Sequence, residues 1–244
     1  MQILESPTNR FRLKPHEIVA IEKMRETEAR NILVIGDLHE PFCLDGYLEF
    51  CIEQYETFSC NQVIFIGDIL DNHAYSFHEP DPNGDAAGLE LEKTIVKVAD
   101  WYKAFPVADV CIGNHDRMAS RKAFSGGIPK EWIKSYNEVL NTPTWNWVES
   151  VVYDDVLFEH GEGGQAQAKA KNNLMSSVCG HTHTEAYCKW FVGKRFKVFG
   201  MQVGCGVDAD TYAANYAKNF KRQAIGCAVV LNNGTLPINL LMDL

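Results

Sequence analysis

Four short apolar runs in this chain each end in glycine, and each glycine is followed at once by residues of metal-binding type. They read ILVIG before Asp37 and His39, VIFIG before Asp68 and Asp71, DVCIG before Asn114, His115 and Asp116, and SSVCG before His181 and His183. A fifth run, VLFE, delivers His160 and Gly161. Short apolar runs bounded by turn-forming residues suit strands buried on both faces. Glycine at the end of a strand lets the backbone turn sharply and lets neighbouring loops approach. In open α/β sheets, ligands gather beyond the carboxyl ends of the strands. The five polar tips are therefore expected on one edge, facing each other.

Between these runs the pattern is helical over 43–58, over 89–105 and in one or two segments within 117–140. Strand–helix–strand alternation predicts βαβ crossovers and a mainly parallel sheet. Residues 14–29, KPHEIVAIEKMRETEA, read as an amphipathic helix with Pro15 near its start. Residues 1–30 are expected as a helical extension and 31–244 as a single domain. After about residue 148 the rhythm changes. VESVVYDDVLFEHG suggests two strands joined at Asp154 and Asp155, and a helix follows over roughly 164–174. AYCKWFVGKRFKVFGMQVG suggests a hairpin turning at Gly193 and Lys194, and AIGCAVVLNNG a closing strand that ends at an Asn233-Gly234 turn. This later part is expected to form a second, more antiparallel sheet packed on the first.

Composition excludes several classes. A length of 244 residues suffices for one substantial domain with its own core. No apolar run approaches the ~20 residues that cross a bilayer. The first residues, MQILESPTNRFRLK, are polar and basic with no apolar stretch of signal-peptide type, so a cytoplasmic protein without a membrane partner is expected. The eight cysteines form no Cys-x-x-Cys pair and lie mostly in apolar runs, as buried reduced thiols do. The formal net charge of −9 argues against coating nucleic acid by bulk electrostatics. It does not exclude a nuclease, because bound cations reset the local field.

Carboxylates and imidazoles without cysteine favour Mn²⁺, Fe²⁺, Zn²⁺ or Mg²⁺. Seven candidate ligands, Asp37, His39, Asp68, Asn114, His160, His181 and His183, are too many for one four-coordinate ion and sensible for two. Two ions ~3.5–4 Å apart make a clamp for in-line displacement at phosphorus. Each motif alone has a bland reading as a turn or a satisfied polar pair. Five such blocks together, holding five of the eight histidines, do not.

In these five motifs the sequence resembles the calcineurin-like metallophosphoesterases, in their Gly-Asn-His-Asp form typical of small bacterial and phage phosphoesterases. The resemblance spans about residues 31–185 and leaves residues 1–30 outside. It implies an α/β fold, a four-layer αββα sandwich of two mixed β-sheets. It implies that Asp37, His39, Asp68 and His183 hold one divalent ion, Mn²⁺ first among the candidates, and that Asp68 bridges to a second held by Asn114, His160 and His181. His115 is then the catalytic imidazole and Asp71 its carboxylate partner. A hydroxide between two cations is nucleophilic near neutral pH, and His115 is placed to protonate the leaving oxygen.

Protein phosphatases of this superfamily carry Gly-Asp-x-x-Asp-Arg-Gly and Gly-Asn-His-Glu, whereas here Asn72 stands in place of the arginine and Asp116 in place of the glutamate. A phosphodiesterase or phosphatase acting on a small or nucleotide-like ester is therefore the first expectation. A DNA or RNA nuclease is the second, a protein phosphatase the third, and a scaffold without catalysis is the reading of another class. Candidate substrate contacts are Asn72, His73, His78 and Arg117, with Arg121 and Lys122 better read as a solvated helix face. Trp145 and Trp147 lie at alternate positions, which suits strand packing better than base stacking.

Overall fold

The computed structural model describes residues 29–77, 81–208, 211 and 222–243. The glycine-terminated runs are strands β1 (Ile32–Ile35), β2 (Gln62–Phe65), β3 (Ala108–Cys111) and β7 (Ser176–Cys179), and VLFE is β6 (Val156–Glu159). The remaining strands are β4 (Trp145–Val148), β5 (Ser150–Tyr153), β8 (Tyr187–Val192), β9 (Lys197–Gln202), β10 (Gly226–Leu231) and β11 (Leu236–Leu241). Helices α1 (Tyr47–Thr57), α2 (Ala87–Ala104), α3 (Met118–Ser125), α4 (Tyr136–Leu140) and α5 (Ala166–Asn173) fill the connections. The helix expected over 14–29 lies, but for Ala29, outside the described residues, as does His78.

Two mixed sheets result, with strand orders β11-β10-β1-β2-β3-β4 and β5-β6-β7-β9-β8. The period-2 alternation of strand side chains explains why the runs are apolar throughout. Leu33 and Ile35 of β1 face one core with Tyr47 and Cys51 of α1 and Val98 and Trp101 of α2. Ile32 and Val34 face the other core, where they meet Phe158, Val178 and Phe199 of the second sheet. Helix α5 covers the outer face of that sheet through Ala166 and Ala170. The layers are thus helix, sheet, sheet, helix, an αββα sandwich. Among the described residues, no helix is long and apolar enough to cross a membrane.

The C-terminal part differs from expectation in two ways. Strand β10 does not close the second sheet but pairs antiparallel with β1, Ile32 opposite Val230. A further strand, β11, pairs with β10 beyond the Asn233-Gly234 turn and forms the edge of the first sheet. The second sheet is mixed as expected, with β6, β7 and β9 running parallel in its middle. The anticipated hairpins β5-β6 and β8-β9 flank them. Trp145 is buried with its indole N–H donated to the Phe105 carbonyl at 2.8 Å, and Trp147 stacks on Tyr136. Both are packing residues.

One carboxylate in the helix-side core has no ion pair among the described residues. Glu40 is 2 % exposed, accepts the Trp101 indole N–H at 2.8 Å through Oε1, and has no partner for Oε2. Burial pushes its carboxyl up to about 7, so the folded protein holds a proton that the unfolded chain releases near pH 4.5. Stability should therefore fall as pH rises from 4.5 to 7, by up to about 3 kcal/mol from this group. Glu40→Gln is expected to flatten that decline and to be the more stable protein at pH 8. Denaturant melts of both proteins at pH 4.5 and pH 8 give the difference directly.

Candidate metal centre

The parallel strands deliver their tips to one edge, as the glycines predicted. Asp37 follows β1, Asp68 follows β2, Asn114 and His115 follow β3, His160 follows β6, and His181 and His183 follow β7. Asp37, His39 and His183 form one group whose possible ligand atoms lie within 4.8 Å of each other. Asp68, His160 and His181 form a second. Asn114 joins the second, its Oδ1 at 3.0 Å from His160 Nε2. The seven residues singled out by type are all here. His39, Asp68 and His181 have φ of 52°, 50° and 73°, a left-handed conformation that costs non-glycine residues energy and clusters at functional sites.

The imidazoles are oriented from behind. His160 Nδ1 faces the Ile66 carbonyl at 3.1 Å, which can only accept, so Nδ1 carries a proton and Nε2 points at Asp68 Oδ2, 3.1 Å away. His115 Nδ1 meets the Asp71 carbonyl at 2.6 Å in the same manner. His39 Nδ1 is 2.6 Å from the Asp71 carboxylate, and its Nε2 is buried with no hydrogen bond, 3.6 Å from Asp68 Oδ2. An outer acceptor on one ring nitrogen is the usual support of a metal-ligating histidine.

Electrostatics supports the same use. Asp37 and Asp68 are both buried, yet their carboxyls lie below the usual range, because the surrounding histidines outweigh the cost of burial. Burial opposes the charge on His160 too, but the carboxylates of Asp68 and Asp37 hold its proton up to about 10. His39 and His181 are lowered, first by burial and then by neighbouring imidazoles. A pocket with this demand for positive charge, and with Asp37 Oδ1 and His39 Nε2 as buried unpartnered donor atoms, fits a divalent cation.

Asp71 serves two imidazoles. Its carboxylate is bonded to His39 and stands 3.7 Å from His115, which it meets through its backbone carbonyl. Asn72 is buried with φ 56°, donates to the His115 carbonyl at 2.8 Å and accepts from Tyr75 Oη. His73 is buried, its Nε2 accepting the Asp81 N–H at 2.9 Å. The Arg117 guanidinium is held by Glu149 and by Glu162, the latter at 3.0 Å. Three of the four expected substrate contacts are thus engaged within the protein.

Three contributors were given no role in the site from sequence. Asp116 binds three backbone N–H groups, those of Asp68 at 3.0 Å, Gly113 at 2.8 Å and Leu70 at 3.0 Å, and so ties the β3 loop to the β2 loop. Burial and the Asp68 charge push its carboxyl up to about 7 against those bonds. Gly204 and Gly206 close the first loop from the other side, with the Gly206 N–H bonded to the Asp37 carbonyl at 2.8 Å. Their signal was present, since MQVGCG is one more apolar run that ends in glycine.

A family model described as calcineurin-like phosphoesterase matches residues 30–196. A search of curated proteins finds no match. Among solved structures, an archaeal phosphodiesterase is 15% identical, with 87% of this chain and 99% of that one covered at a TM-score of 0.45. Vacuolar protein sorting 29 from Cryptosporidium parvum is 13% identical, with 88% and 100% covered at 0.42. The Escherichia coli phosphoesterase Yfce is 13% identical, with 87% and 100% covered at 0.38.

The crowding of the loops makes one substitution diagnostic. A Cβ at Gly113 would lie 2.0 Å from Asp68 Oδ1 and 2.4 Å from the Asp68 nitrogen. Gly113→Ala should displace Asp68, cost about 1–3 kcal/mol of stability by overpacking, and lower bound divalent metal. Elemental analysis of protein purified without chelator, with a denaturant melt beside it, reads both effects.

Proposed function

The chain belongs to the calcineurin-like phosphoesterase family, and from that premise we propose that it hydrolyses phosphate esters at a dinuclear metal centre. The carrying observation is the convergence of two three-residue donor groups on one edge, with the His115 ring 4.4 Å from that of His39. Asp37, His39 and His183 would hold one ion, Asn114, His160 and His181 the other, and Asp68 would lie between. When bound, two divalent ions, Mn²⁺ first among the candidates, acidify water to a nucleophile and draw charge from the phosphate oxygens.

The residues of the chain do the rest. The Asp71 carbonyl fixes the His115 ring by its Nδ1–H, which leaves Nε2 to carry the proton that the leaving oxygen takes. Burial works against an imidazolium, but the Asp68 and Asp71 charges and the Asp71 carbonyl raise His115 above its ordinary value. The Asp71 carboxylate has a second task, orienting His39 toward its ion. With Asn72, His73 and Arg117 engaged elsewhere, attraction for phosphate comes mainly from the ions. That favours a diester with one negative charge over a monoester dianion, which needs more cationic partners.

Bis(p-nitrophenyl) phosphate, p-nitrophenyl phosphate and labelled oligonucleotides, assayed side by side with Mn²⁺, test this. Diester turnover is expected. Turnover of the monoester alone would sink the diester reading, and no turnover with both metals bound would sink the enzyme. His115→Ala should lose on the order of 10²–10⁴-fold in turnover while keeping its metal, whereas Asp68→Ala should lose metal as well.

A further inference from the structure

A surface beside the metal centre is built in a way that hydrolysis of a small ester does not require. Two segments leave the site from one atom, the His115 carbonyl, which accepts both Asn72 Nδ2 at 2.8 Å and the Met118 N–H at 3.0 Å. One runs through Tyr75 to Phe77 and the other is α3. They meet again farther out, where the Arg121 guanidinium and the Lys122 ammonium each lie 4.4 Å from the centre of the Phe77 ring. Helix α3 buries Met118 beneath it and leaves Phe124 85% exposed. The short 3-10 turn Lys130–Trp132 packs against α3 and leaves Trp132 82% exposed. Phe77 is itself 52% exposed.

Exposed rings of this size on a soluble surface mark a binding face. Its charge says what kind. Between Met118 and Ser135 the chain carries Arg121, Lys122, Lys130 and Lys134 against the single acid Glu131, in a protein whose formal net charge is −9. Two copies meeting through this face would set the same cations against each other. An anionic partner with flat faces suits it better: phosphates for the cations, unpaired bases for the rings. Paired bases are stacked inside a duplex and would not reach the rings, so the partner is a single strand.

We propose that Phe77, Arg121, Lys122, Phe124 and Trp132 form a binding face for single-stranded nucleic acid, which runs from the metal centre outward. This rests on the phosphodiesterase reading above, and it makes the substrate of that site a linkage within or at the end of a strand. The cations bind phosphates without regard to sequence, and the rings stack bases without reading their edges, so the face gives strand affinity and little base preference.

The test uses full-length protein with Mn²⁺ and a fluorescein-labelled oligothymidylate of hydrolysis-resistant phosphorothioate linkages, read by anisotropy across a salt series. Arg121→Ala with Lys122→Ala should weaken binding and reduce the salt dependence of log Kobs by about 1.4, the share of two phosphate contacts on a single strand. Trp132→Leu, or Phe77→Leu should the first misfold, should weaken binding roughly tenfold with little change in the salt slope. Circular dichroism checks that each variant is folded. Oligonucleotide binding that is absent, or unmoved by every variant, overturns the proposal. So does a wild-type dimer in sedimentation that Trp132→Leu converts to monomer with no binding of the oligonucleotide. Wild-type turnover of bis(p-nitrophenyl) phosphate is measured beside these. Its absence with variant-sensitive strand binding would support the face and overturn the hydrolase, while its presence with unmoved binding would do the reverse.

Discussion

Two carboxylates buried at the junction of the sheets, Asp37 and Asp68, impose most of what surrounds them. An isolated carboxylate in a low-dielectric interior is too costly to keep charged, so each must be surrounded by donors and positive charge. The backbone N–H of His181 serves Asp37 at 2.8 Å and that of His115 serves Asp68 at 2.8 Å. These bonds demand that loops from distant parts of the chain come within van der Waals contact, and that is what removes side chains at Gly36, Gly113 and Gly180. At Gly36 a Cβ would lie 1.9 Å from the Gly204 carbonyl oxygen, and at Gly180 it would lie 2.2 Å from Asp37 Oδ1. The glycines are a consequence of the charges, and the sheet edge is the place where both demands can be met together.

Much of this was legible in the sequence because it rests on short-range signals. Strands β1, β2, β3 and β7 are short, largely apolar runs with a glycine close behind, and the candidate ligands of their loops fall within a few residues of that glycine. The destination of β10 was not legible. GCAVVL would suit either sheet, and the choice of β1 as partner depends on an edge that only the assembled fold presents. β11, with Pro237 inside it, carries a weak strand signal that only an edge position tolerates. Within the site, residue types gave the candidate ligands, but the bonds behind them were hidden. Nothing local says that the Asp71 carboxylate reaches His39 or that Asp116 gathers three backbone N–H groups. The ion pairs of Arg117 were hidden for the same reason, since Glu149 and Glu162 stand far away in sequence.

The metal edge and the rim next to it are built on different principles. Inside, every polar group has a fixed partner or points at the centre, and backbone strain at His39, Asp68 and His181 is held by that network. Outside, the aromatic and cationic side chains of the α3 region stand in solvent on a thin support. The side chains of Arg121, Lys122, Phe124 and Trp132 make none of the bonds that orient the candidate ligands, so the rim can be varied without disturbing them.

The antiparallel pairing of β1 with β10 has a consequence for biosynthesis. Ile32 leaves the ribosome almost two hundred residues before its partner Val230. Until then β1 is an open edge beside β2, apolar on both faces and able to pair with any other extended chain. The central sheet therefore stays unfinished over that whole interval of synthesis, and completion waits on contacts of high sequence separation, which form slowly. A ribosome-associated chaperone, or fast release of the finished chain, would matter more to this protein than to one whose sheet closes in order.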